Sequence, residues 1–153
     1  MTNTIRIGLI GAGYMGKAHT IAWKSVRSIF NTELTPVCEL ICTSSEEGAA
    51  RCARELGWNR ATGDWRALVA DPQVDAIIIA TPPHTHKDIV LAALALGKPV
   101  FCEKPLGFSA AESLALAEAA ERSGVANMVG FNYIRTPASQ LARQIIEAGE
   151  IGE

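Results

Sequence analysis

An apolar run containing Ile5, Ile7, Leu9 and Ile10 gives way to Gly11-Ala12-Gly13-Tyr14-Met15-Gly16, and a helical pattern follows from about Met15 to Arg27. Strand, glycine turn and helix in that order restrict the fold to a few parallel α/β arrangements. Gly11 lets the chain turn sharply, Gly13 leaves the backbone bare where a pyrophosphate approaches, and Gly16 lets the helix lie close to the strand. The helix start offers free N–H groups and a partial positive charge to an anion. At Tyr14 and Met15 the backbone amides therefore matter more than the side chains. A glycine turn that binds nothing is the plain alternative.

The rest of the chain repeats the alternation. Strands are expected at Glu33–Glu39, Arg60–Thr62, Ala76–Ala80, Val100–Cys102 and Val125–Phe131. Ser44-x-x-Glu47 and Ser109-x-x-Glu112 read as capping boxes that open helices, and Asp64 caps a short helix through Trp65, Leu68 and Val69. Gly57, Gly97, Gly124 and Gly149 read as helix stops. Ala76-Ile77-Ile78-Ile79-Ala80 is apolar on both faces, as a central parallel strand requires. The expected fold is α/β: a doubly wound, mostly parallel six-stranded sheet with helices on both faces, one domain over residues 1–153.

Composition excludes several functions. The chain is 48% hydrophobic and 20% charged, as a globular protein is, and its net charge of −2 gives no reason to expect nucleic acid or an anionic membrane as partner. No apolar run approaches the roughly 18 residues of a membrane span, and residues 1–12 lack the pattern of a secretion signal. Cys38, Cys42, Cys52 and Cys102 form no C-x-x-C and have no His at zinc spacing, so reduced thiols in a cytoplasmic protein are expected. His84 and His86 lack a Cys or carboxylate at ligand spacing, and no metal is expected.

Candidate site residues gather where strands should end. Glu39, placed at the end of the second strand, can accept hydrogen bonds from both ribose hydroxyls of a dinucleotide, favouring NAD over NADP. Ser44 and Ser45 could instead meet a 2′-phosphate, and a solvated loop Glu is the bland reading of Glu39. Ala80, Thr81, Pro82 and His86 leave the fourth strand at the crevice edge. Glu103 and Lys104 leave the fifth; a surface ion pair is their bland reading, and a proton-handling Lys over the cofactor the functional one. Asn132 and Tyr133 are expected to end the sixth strand on the same edge. Trp23, Trp58 and Trp65 read as packing residues.

The glycine turn, Thr81-Pro82 ahead of His86, and Glu103-Lys104-Pro105 together resemble the Gfo/Idh/MocA family (glucose–fructose oxidoreductase and inositol dehydrogenase) over essentially the whole chain. Gly130-Phe131-Asn132-Tyr133 and Glu150-Ile151-Gly152-Glu153 look like its passage toward a second domain. The resemblance implies NAD- or NADP-dependent hydride transfer on a secondary alcohol of a sugar, polyol or related compound. It implies that Ala80-Thr81-Pro82 runs along the nicotinamide half and that Glu103 contacts the cofactor region. It further implies that Lys104 positions substrate and assists proton transfer; in the family the bond corresponding to Lys104–Pro105 is often cis, and the sequence alone leaves its isomer open. It also implies a C-terminal α/β domain, absent from these 153 residues, that completes the substrate site and supplies subunit contacts of a homo-oligomer. A non-catalytic dinucleotide-binding sensor or scaffold is the alternative.

Overall fold

The computed structural model describes residues 3–152; Glu153, part of the segment likened to a domain passage, lies outside them. Six strands form one sheet: β1 (Thr4–Ile10), β2 (Thr35–Cys42), β3 (Arg60–Thr62), β4 (Ala76–Ile79), β5 (Val100–Cys102) and β6 (Asn127–Val129). Every pairing is parallel, in the order β3-β2-β1-β4-β5-β6. The order reverses direction between β1 and β4, and that switch point opens a crevice at the carboxyl edge of the sheet.

Helices α1 (Tyr14–Phe30), α2 (Glu46–Leu56), α3 (Trp65–Ala70), α4 (His86–Ala95), α5 (Ala110–Ser123) and α6 (Pro137–Glu147) alternate with the strands. On one face of the sheet, Ile7, Leu9, Ile41 and Ile78 pack with Ala53 of α2, Trp58 and Trp23 of α1. On the other, Ile10, Ile77, Ile79 and Cys102 pack with Leu68 of α3, Ile89 and Ala93 of α4 and Leu116 of α5. Ile77 and Ile79 are fully buried, and each such side chain contributes about 1.5–3 kcal/mol. Gly8 faces this second layer, where an added methyl would come within 2.8 Å of Leu68 and Val74.

Local chemistry sets the boundaries. Ser109 accepts the Glu112 amide, as its capping box requires, and Asp64 accepts the Arg66 amide. The cap of α2 is Ser45, which accepts the Gly48 amide, one residue beyond the expected Ser44. β2 also differs: it runs from Thr35 to Cys42, because Leu40, Ile41 and Cys42 continue the buried apolar run past Glu39. Ile7 pairs with Cys38 and Gly8 with Leu40, so Glu39 is the extra residue of a β-bulge. β6 is shorter than expected, and Asn132–Arg135 form a 3-10 turn after it. α6 buries no residue and leaves Leu141 and Ile146 exposed.

Candidate cofactor cleft and active-site edge

The glycine turn is tied to its neighbours by backbone bonds. Gly11 N–H donates to Cys42 O at 2.9 Å, and Ala80 N–H donates to Ile10 O at 2.8 Å, so the ends of β1, β2 and β4 are held side by side. Gly11 has φ +99°, and a methyl there would come within 2.5 Å of the Ala80 carbonyl oxygen. A methyl at Gly16 would reach 2.1 Å from the Gly11 carbonyl oxygen, so helix and turn touch backbone to backbone. At Gly13 a methyl would meet nothing within 4 Å. Gly13 also caps α1 without a side-chain bond, which leaves the first-turn N–H groups of Tyr14 and Met15 uncapped.

A cleft of about 900 Å³ opens over this turn. Gly11 to Met15 form its floor, Thr43, Ser44 and Ser45 with Gly48, Arg51 and Cys52 one wall, and Ala80, Thr81 and Pro82 with His84 and Thr85 the other. Trp65, expected only to pack, also lines it. The open face of Gly13 and the uncapped start of α1 fit a diphosphate, and the volume suits a dinucleotide. A smaller apolar cavity of about 200 Å³, among Val90, Leu94, Leu106 and Leu116, has no comparable set of converging polar groups.

Several expected residues sit elsewhere. Glu39 faces away from the cleft, near the start of β3, where Arg60 Nε donates to its Oε1 at 2.7 Å and Asn59 Nδ2 to its Oε2 at 2.8 Å. Burial pushes its carboxyl up, but those two hydrogen bonds and the charges of Arg60 and Arg6 outweigh it, holding Glu39 below the ordinary carboxylate range. His86 opens α4, as expected, but is fully buried behind the Thr81 wall and does not itself line the cleft. Its Nδ1 lies 3.0 Å from Pro105 O and its Nε2 2.9 Å from Thr81 O, so the ring straddles the loops that leave β4 and β5.

Glu103 also turns inward, beneath Gly130, whose added methyl would stand 3.1 Å from the carboxylate. Its Oε1 meets His19 Nε2 at 2.8 Å, and its Oε2 accepts the Lys104 amide at 3.2 Å. His19 stacks edge-on against Phe101, with centroids 4.9 Å apart. Sequence reasoning missed His19. Its signal was a polar residue on the inward stripe of α1, beside Gly16, Thr20 and Trp23. Lys104 is exposed and precedes a cis peptide bond to Pro105. It borders a shallow groove with Leu114, Val129 and Phe131, one strand over from the Thr81 wall. Asn132 is exposed in the 3-10 turn beyond β6.

This architecture is that of a Rossmann-type nucleotide-binding domain, and comparison with known proteins places it among the oxidoreductases. The profile of the GFO_IDH_MocA oxidoreductase family, NAD-binding Rossmann fold, matches residues 5–131. The chain belongs to the Gfo/Idh/MocA oxidoreductase family, as its NAD-binding domain. It is 42% identical over 149 residues to levoglucosan dehydrogenase of Pseudarthrobacter phenanthrenivorans, covering 97% of this chain and 38% of that protein. It is 37% identical to the scyllo-inositol 2-dehydrogenase (NAD(+)) of Bacillus subtilis, covering 100% of this chain and 43% of that protein. Among solved structures, a levoglucosan dehydrogenase in complex with NADH and levoglucosan superposes with a TM-score of 0.92 at 41% identity, over 98% of this chain and 41% of the other. An NAD binding oxidoreductase from Klebsiella pneumoniae gives 0.91 at 44% identity, over 98% and 40%. The chain thus spans about two fifths of the length of the curated relatives it matches.

Proposed function

We propose that this chain is the cofactor half of a dehydrogenase that moves hydride between a nicotinamide dinucleotide and a secondary alcohol of a sugar or polyol. The observation that carries the reading is the shared edge: the glycine-floored cleft and the Lys104 loop leave neighbouring strands of one sheet at their carboxyl ends. The bound nicotinamide supplies the hydride acceptor or donor. Gly11, Gly13 and the amides of Tyr14, Met15 and Gly16 hold the diphosphate, and the Ala80-Thr81-Pro82 wall sets the nicotinamide half. Lys104 hydrogen-bonds the reacting hydroxyl and assists movement of its proton, while Asn132 borders the substrate side.

In this reading His86 and Glu103 act through others. His86 fixes the Thr81 and Pro105 loops, and Glu103, braced by His19, holds the Lys104 amide. Glu39 stabilises the sheet.

The substrate class follows from the relatives, which are named for levoglucosan and inositol. A second domain completes the substrate pocket and provides the contacts of a homo-oligomer. The exposed Phe131, Tyr133, Ile134, Leu141 and Ile146 suit such a cover. No helix among the described residues is long and apolar enough to cross a membrane, and the four unpaired cysteines suit the reducing cytoplasm.

The test is a panel of levoglucosan, inositols and other polyols with NAD, followed by absorbance of the reduced cofactor. It is run on this chain and on the chain joined to the C-terminal domain of levoglucosan dehydrogenase. Turnover only in the joined protein, and lost with Lys104→Ala, is expected. Turnover by this chain alone, or insensitivity to Lys104→Ala, would contradict the assignment.

A further inference from the structure

The wall of the cleft beside β2 has an unexpected charge pattern. A diphosphate seated over Gly13 places the adenosine ribose above the end of β2, the position where NAD-selective sites present a carboxylate to the ribose hydroxyls. Here that end is Cys42-Thr43-Ser44-Ser45, and among the described residues no Asp or Glu lines the cleft. Glu39, three residues short of the strand end, is occupied by Arg60 and Asn59 on the other side of β2. Glu46 Oε1 turns to the Thr62 hydroxyl at 3.4 Å, and Asp64 is committed to the Arg66 amide.

Among the described residues, the cleft wall contains one permanently charged side chain, the guanidinium of Arg51. It is exposed on α2 and has no hydrogen-bond or ion-pair partner among the described residues. Beside it are the hydroxyls of Thr43, Ser44 and Ser45. Thr43 donates its hydroxyl to Ser45 O at 3.0 Å, and Ser45 Oγ accepts the Gly48 amide at 3.1 Å, which fixes the loop against α2. Gly48 lets that loop close in, since a methyl there would stand 2.9 Å from Ser45 Oγ and 3.0 Å from Thr43 Oγ1.

We propose that this adenosine end accepts a 2′-phosphate, so that the chain binds NADPH as well as NADH, with Arg51 and the Ser44 hydroxyl as the residues that recognise it. A 2′-phosphate brings up to two negative charges, which a carboxylate would repel and a planar guanidinium can bind in a bidentate fashion. With no carboxylate to satisfy, the ribose hydroxyls of NADH gain little here that NADPH lacks. The inference rests on the reading of the cleft as a nicotinamide dinucleotide site and names the specificity of that site.

The experiment is calorimetric titration of the chain with NADH and with NADPH, repeated on Arg51→Ala and Thr43→Glu, with thermal melts to confirm folding. The expected result is dissociation constants for the two coenzymes within about tenfold of each other in the unmodified chain. Arg51→Ala should shift their ratio against NADPH by about tenfold, the scale of one lost charge-assisted contact. Thr43→Glu should shift it the same way by restoring a carboxylate at the strand end. NADH binding with NADPH more than a hundredfold weaker would overturn this inference and leave the cleft assignment standing. An unchanged ratio in folded Arg51→Ala would also overturn it. Failure to bind either coenzyme would overturn the cleft assignment itself.

Discussion

Glu39 gives up most of its hydration to sit 8% exposed in a strand bulge, and Arg60 and Asn59 replace the water. Arg60 continues to Asp71, with Nη1 2.7 Å from Oδ2, while Arg6 clasps Asp75 at 2.6 Å. The Arg60 hydrogen bond holds Asp71 below its ordinary range, and the Arg6 bond does the same for Asp75. All three carboxyls therefore hold protons less tightly folded than unfolded. Their stabilisation is complete above the ordinary carboxylate range and is lost as pH falls through the depressed folded values. Thermal melts should show a midpoint that is flat near neutrality and falls below about pH 4.5. Glu39→Gln should melt lower at pH 7, fall less steeply in acid and bind NADH unchanged. A weakened NADH affinity in a folded Glu39→Gln would return Glu39 to the cofactor.

The four cysteines differ in burial and therefore in reactivity. Burial pushes the Cys42 and Cys102 thiols up to about 12, and Cys38 is also raised by burial. Thiolate is the reactive form, so these three should resist alkylation at pH 8 in the native chain. Cys52, only half-buried, should label first. Rapid native labelling at Cys102, read by mass spectrometry, would show that the β5 end opens.

At the scale of elements, the Thr81 and Pro105 loops are joined through one imidazole. The His86 ring nitrogens lie 3.0 Å from Pro105 O and 2.9 Å from Thr81 O, so the side chain bridges the two loops. His86→Ala leaves both carbonyls without that partner and should cost on the order of 1–3 kcal/mol of stability. It should also raise hydrogen exchange in both loops together. Exchange confined to one loop would mean that they are not coupled through the ring.

Elements fixed by local signals were legible in the sequence. The glycine turn, β3, β5 and the Ser109 cap fall where glycine spacing, apolar runs and capping residues place them. The end of β2 was not, because a charged Glu39 mimics a strand end and its partner Arg60 lies 21 residues away. The inward turns of His86 and Glu103 were hidden for the same reason. Strand-end placement fixes where a residue leaves the sheet and not which way its side chain points. Spacing brought Gly11 to Met15 and Ala80 to Pro82 into one cleft, and it set Lys104 one strand outside it.

On the scale of the whole molecule, the sheet is covered on both faces, yet the chain after β6 remains bare. Phe131, Tyr133, Ile134, Leu141, Ile146 and Ile151 are all more than half exposed. This apolar run argues for a covering partner surface, which the proposed second domain supplies. If the cleft over the glycine turn is the dinucleotide site, calorimetry of NADH binding to the chain and to Gly13→Val will separate the two. A valine there meets no protein atom at its Cβ but fills the diphosphate approach. One NADH should bind per chain, with binding lost in Gly13→Val while the thermal midpoint stays within a few degrees. Unchanged NADH affinity in a folded Gly13→Val would contradict that assignment.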